Sequence, residues 1–263
     1  MNILVTFALE NEFAAWRAMR EFRPARLGRA NTFTTQIQDA QISVLLTGVG
    51  SRRAELEISK VQWGSADRIE FCVSSGLSGA LRPEYPVGRV LTARFVVCES
   101  AWNGVDHPLE SSPALVSFAS DCGATAVGRF LTADRVIARA AEKRELGQRG
   151  DAVDMESFAI LRAAAQDGVP AVAIRAVSDS VDDDLPLDME SLLTDEGRVS
   201  IPRVLGQVAL HPGALAGLVK LGKQSKRAAQ ALAQFLDQYV QIVAGSVNGL
   251  ESKSRMDASV ASI

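Results

Sequence analysis

The chain has 263 residues, 47% hydrophobic and 22% charged, enough apolar material for one large core. Its 28 basic side chains are outweighed by 31 acidic ones, so no global positive charge argues for nucleic acid, and a small-molecule partner is expected. Three cysteines (Cys72, Cys98, Cys122) without a C-x-x-C spacing, and two histidines (His107, His211), argue against a disulfide framework, a thiolate zinc site and a histidine-rich metal site. Carboxylates alone would be left for Mg²⁺; neither a metal nor a cofactor is assigned.

Residues 3–7 form a short apolar run of β type. The start lacks the basic region of a signal peptide and soon meets Glu10 and Glu12, and no apolar run reaches the ~18 residues of a membrane span. A cytoplasmic protein is expected. Phe13, Ala14, Trp16 and Met19 recur at helical spacing, so a helix is predicted over 10–22. Residues 32–37 and 42–47 read as a hairpin, and Gly48-Val49-Gly50 opens a helix over 51–63. A strand over 68–74 is followed by the small-residue stretch Ser75-Gly76-Leu77-Ser78-Gly79-Ala80-Leu81. This stretch is read as a turn, serving either chain reversal alone or close approach to a ligand.

Strand is predicted over 87–98, then a polar irregular segment over 99–113, a helix over 112–122, a strand over 124–131 and an Ala-rich helix over 137–148. Around Asp151-Ala152-Val153-Asp154-Met155-Glu156-Ser157 another strand feeds a helix that Gly168 stops before a strand over 169–179. We read this as a right-handed βαβ unit with parallel strands. Glu156 and Asp179 would then share one sheet edge with Glu12 and the 75–79 stretch, where open α/β sheets bind ligands. Asp182-Asp183-Asp184 is taken as a solvated loop, 202–210 and 213–239 as terminal helices, and the chain after 245 as frayed. Residues 1–182 are expected to form the core, 183–243 a helical extension packed on it, and 244–263 a flexible tail.

Each charged residue also has an ordinary reading. Glu156 suits the first turn of a helix and Asp154 its N-cap; Asp179 suits a loop cap; Glu12 suits a solvated helix position. Arg175 suits an ion-pair partner of either acid. Together they supply what cleavage of a glycosidic bond needs: one carboxylate to take a proton from water and another to donate to the leaving group.

The motifs Ala8-Leu9-Glu10-Asn11-Glu12, Thr47-Gly48-Val49-Gly50, 75–81, Thr132-Ala133-Asp134-Arg135-Val136-Ile137, Val153-Asp154-Met155-Glu156-Ser157 and Ile174-Arg175-Ala176-Val177-Ser178-Asp179 stand in an order that resembles the purine nucleoside phosphorylase and nucleosidase superfamily. The likeness is to its 5′-methylthioadenosine/S-adenosylhomocysteine nucleosidase branch. It implies a three-layer α/β/α fold with a mixed, partly barrelled sheet, extended here by C-terminal helices, and no cofactor.

By this resemblance Asp179 would protonate purine N7, oriented by Ser178, and Glu12 would activate water. Met155 and Glu156 would hold the ribose, Ser78 and Gly79 would line the site, Val136 would pack near the base, and Arg175 would stand behind the carboxylates. The expected activity is hydrolysis of a purine nucleoside, a 5′-substituted adenosine, by a homodimer. The sequence departs from that branch at Leu77, at Arg135 and in a longer ending. That ending is similar to the hopanoid-associated phosphorylases, so phosphorolysis of a bulky or lipid-linked adenosine is the alternative. A nucleoside-binding module without catalysis is the alternative of another class.

Overall fold

Three strands pair in parallel at the centre of the sheet: β1 (Asn2–Phe7) lies between β4 (Ala40–Leu46) and β5 (Phe71–Ala80). Helices on both faces bury them, which suits the apolar residues of β1 and the start of β5, while β5 turns to serine and glycine from Ser74 on. The computed structural model describes residues 1–64, 68–99, 107–186, 213 and 215–260, with side chains through 245.

Beyond β4 the sheet continues antiparallel through β3 (Ala30–Ile37) and β2 (Arg23–Leu27). On the other side β5 pairs in parallel with β10 (Ala171–Asp179) and antiparallel with β9 (Ala152–Asp154). Two further strands, β8 (Thr125–Thr132) and β6 (Val90–Cys98), close the ring β5-β10-β6-β8-β9, with the short β7 (Leu109–Glu110) on the edge of β6. Half of the sheet is thus a barrel, and the other half stays open.

One face is covered by α1 (Glu10–Arg17), α3 (Pro113–Asp121) and α6 (Leu215–Val260), which share a core with Val5, Phe7 and Val73. The opposite face carries α2 (Ser51–Ile58) and α5 (Ser157–Gln166). A short helix, α4 (Ala140–Leu146), closes a smaller cluster with Leu81, Leu131 and Val153. The expected three-layer α/β/α arrangement with a mixed, partly barrelled sheet is the one found.

In α6 the buried positions Ala228, Leu232, Leu236, Tyr239 and Val243 recur at three and four residues and lay one stripe on the sheet. Each large side chain so buried contributes roughly 1.5–3 kcal/mol. Asp237 ties α6 to α1: its carboxylate accepts both Arg20 nitrogens at 2.7 Å and Trp16 Nε1 at 3.2 Å. The α6 backbone stays helical to Val260. Among the described residues no helix is long and apolar enough to cross a membrane. The helix expected over 202–210 and His211 lie outside the described residues.

Three expectations are corrected. Residues 75–80 are not a turn, because the parallel partner β10 carries β5 on through Ser75, Gly76, Leu77, Ser78 and Gly79. The segments β9 and β10 do not form a parallel βαβ unit. They flank β5 on opposite sides, β9 antiparallel to it and β10 parallel, because closing the barrel reverses the strand direction on one side. The acidic run is not simply solvated: Asp183 accepts Ser180 N, Lys220 Nζ and Gln224 Nε2, and Asp184 accepts Ala140 N.

Candidate active site

The parallel strands β1, β4 and β5 end at one edge, and residues at or just beyond the end of each strand face the same cavity. It has a volume of about 170 Å³. From the end of β1, the first turn of α1 brings Glu12, whose Oε2 accepts Ala8 N at 3.0 Å and Leu9 N at 3.2 Å, as an acid at the third helical position does. Its Oε1 accepts Leu77 N at 3.2 Å. Gly76 permits that approach: its φ is +147° and a Cβ there would stand 3.3 Å from Glu12 Oε2. Burial pushes the Glu12 carboxyl up, while the nearby Arg175 charge and the three N–H groups pull it down.

From the end of β4, Gly50 N–H donates to Glu156 Oε1 at 2.8 Å. Glu156 is 7% exposed, and its carboxyl is pushed up to about 8. Burial is the main cause, the Asp154 and Glu12 charges add to it, and Arg175 and the Gly50 N–H oppose it. Asp154, three residues before α5 proper, does the capping: it accepts Ser157 N at 3.2 Å and Thr132 Oγ1 at 2.8 Å.

β10 delivers Ser178 and Asp179. Successive strand residues point to opposite faces, yet both line the cavity, because the register shifts between Val177 and Asp179 and such a bulge re-aims side chains. Ser178 Oγ lies 2.7 Å from Asp179 Oδ1 and 3.1 Å from Ser78 O. On the other oxygen, Lys143 Nζ donates to Asp179 Oδ2 at 2.5 Å. Gly79 leaves room for this arrangement, since a Cβ there would lie 3.1 Å from Asp179 Oδ2.

Of the nine residues singled out in the sequence, eight line this cavity: Glu12, Ser78, Gly79, Val136, Met155, Glu156, Ser178 and Asp179. Arg175 does not. Its guanidinium, 1% exposed, stands behind the carboxylates, with Nε 3.0 Å from Asp154 Oδ2 and Nη2 3.2 Å from Ser74 Oγ. Its part is to offset the negative charge of the wall. Removing one member of such a buried pair strands the other, so Arg175→Met is expected to destabilise the fold by about 3–5 kcal/mol in denaturant titration. A loss below about 1 kcal/mol would show that the pair is not needed.

Sequence reasoning passed over Lys143. The available signal was a lysine at the centre of the Ala140, Lys143, Leu146 stripe, all three buried. Ser78 Oγ is buried and has no hydrogen-bond partner among the described residues, which leaves a polar group for a ligand. Among the described residues no group of three or more His, Cys, Asp or Glu is arranged to hold a metal ion.

The mixed α/β sheet, partly closed as a barrel, is that of the nucleoside phosphorylase and nucleosidase fold. A family model described as the phosphorylase superfamily matches residues 2–198, and the chain belongs to that superfamily. It is 29% identical over 187 residues to futalosine hydrolase of Streptomyces coelicolor, covering 63% of this chain and 77% of that one. It is 27% identical over 193 residues to a DeoD-type purine nucleoside phosphorylase of Streptococcus gordonii, covering 66% and 80%. The fold is also that of the Helicobacter pylori 5′-methylthioadenosine/S-adenosylhomocysteine nucleosidase, with a TM-score of 0.69 at 17% identity, covering 91% of this chain and 97% of that one.

Proposed function

We propose that the protein hydrolyses the N-glycosidic bond of a purine nucleoside, with 5′-substituted adenosines as its substrates. The observation that carries this reading is the pairing, in one cavity, of Asp179, fixed at both oxygens, with Glu12, held by three backbone N–H groups.

In this reading Asp179 gives a proton to N7 of the base, so the electron pair of the breaking bond leaves on a neutral purine. Glu156 accepts the ribose hydroxyls and favours the oxocarbenium-like sugar. Glu12 takes a proton from the water that attacks C1′. Met155 packs against the sugar and Val136 near the base.

Water is favoured over phosphate by charge. Among the described lining residues the carboxyl groups of Glu12, Asp154, Glu156 and Asp179 meet one cation, Arg135, itself paired with Glu142, while the buried Arg175 and Lys143 behind the wall are paired with Asp154 and Asp179. A phosphate dianion would meet repulsion there. We also propose a homodimer, supported by the exposed apolar side chains Leu215 and Val219, one turn apart on α6; a monomer at micromolar concentration in sedimentation would refute it.

The deciding experiment incubates the protein with 5′-methylthioadenosine, S-adenosylhomocysteine, futalosine, adenosine and inosine, with and without phosphate. Free base and free sugar without phosphate are expected. A strict phosphate requirement with a sugar 1-phosphate product would make it a phosphorylase, and no cleavage of any of these would defeat the reading.

A further inference from the structure

We propose that Lys143 is the positioning residue of the Asp179 acid: its buried ammonium fixes the carboxyl toward the leaving base and receives the negative charge left when the proton departs. The proposal rests on the hydrolytic reading above.

Lys143 sits in the middle of α4 with no exposure. An ammonium taken out of water costs several kcal/mol unless it is paired and its donors are satisfied. Here three acceptors surround it: Asp179 Oδ2, Asp183 O at 2.9 Å and Ser180 O at 3.2 Å. Such a tripod fixes the position of Nζ, and Asp179 is its one charged member.

The two carbonyls are themselves held. Asp183 accepts Ser180 N at 3.1 Å and reaches out to Lys220 at 2.6 Å and Gln224 at 3.2 Å on α6. Asp184 Oδ1 accepts Ala140 N at 2.7 Å, and Leu185 N donates to Ala138 O at 2.9 Å. Loop and helix thus lock each other around the ammonium, and the C-terminal helix braces the loop from outside.

An apolar side chain would fill the α4 position with no charge to neutralise, since buried pairs are often matched or bettered by well-packed apolar residues. What the lysine adds is directed at Asp179. With Ser178 on Oδ1 and Lys143 on Oδ2, the plane of the carboxyl is set from two sides. Asp179, ionised beside the ammonium at rest, takes up a proton from solvent as substrate binds. When that proton moves to N7 and the C1′–N9 pair leaves with the base, the restored carboxylate already faces a cation. No group has to reorganise at that moment.

The test compares two substrates that share one sugar: the purine nucleoside the wild type cleaves best, and the 4-nitrophenyl riboside with the same 5′ group, whose nitrophenolate leaves without a proton. Lys143→Met is expected to lower kcat on the nucleoside at least ~100-fold, with KM changed less than ~5-fold, and to lower nitrophenyl riboside turnover less than ~5-fold. The ratio of the two rates on one preparation is independent of the folded fraction, and Lys143→Gln carries the same readout if the Met variant does not fold. Equal loss on both substrates, or no loss on the nucleoside, overturns the proposal. Failure of the wild type to cleave any purine nucleoside would instead overturn the parent reading.

Discussion

Replacing Asp179 by Asn is expected to lower kcat on a purine nucleoside by about 10²–10⁴-fold while ligand affinity stays within a few-fold. The amide keeps the shape but has no acidic proton for N7, and with its oxygen toward one of Ser178 and Lys143 its NH2 faces the other, so the folded fraction is measured before turnover is read. Binding should survive because Ser78, Met155, Val136 and Glu156 line the cavity independently of that proton. Single-turnover kinetics alongside calorimetric titration separate the two quantities. Unchanged turnover would remove Asp179 from the chemistry and leave a nucleoside-binding protein.

Glu156→Gln should move activity and stability in opposite directions. The carboxyl titrates near 8 in the folded protein, against an ordinary value of 4.5. Above pH 4.5 the unfolded chain ionises this group while the folded protein keeps it protonated, so its contribution falls as pH rises from 4.5 to 8, by up to about 1.4 kcal/mol per unit. Glutamine removes that slope, and the variant is expected to be more stable at pH 7 by on the order of 2 kcal/mol. At pH 8 and above, where the folded carboxyl ionises, it should lose at least ~100-fold in turnover, because a neutral amide holds the ribose hydroxyls more weakly than a carboxylate as positive charge develops on the sugar. Urea unfolding of both proteins at pH 5, 6, 7 and 8 gives the difference directly. Parallel pH dependences would mean that Glu156 does not titrate in this window.

Most of the open half of the sheet was legible in the sequence. The run at β1, the hairpin of β3 and β4, and the Gly48-Val49-Gly50 opening of α2 are local signals, carried by alternation and by glycine. The strand β2, Arg23-Pro24-Ala25-Arg26-Leu27, was missed because it forms the sheet edge and buries none of its residues fully. The stretch 75–80 was misread because small residues announce a turn, whereas here they let β5 pass close to Glu12 and Asp179. Arg175, expected to pair with Glu156 or Asp179, pairs with Asp154 instead; that position arises from a barrel closure that no local pattern encodes.

The nucleoside was named by family resemblance; by itself the sequence indicated which carboxylates, hydroxyls and small residues fall near strand ends, and that a small molecule suits the charge balance better than nucleic acid. Those are properties of periodicity and residue chemistry, which act over a few residues. Only the tertiary structure decided that β9 approaches from the antiparallel side, that a bulge turns Ser178 and Asp179 to one cavity, and that a lysine from α4 stands behind the acid. Each of these arises from pairing between segments tens of residues apart, where closure of the barrel and the cost of burying charge select the geometry.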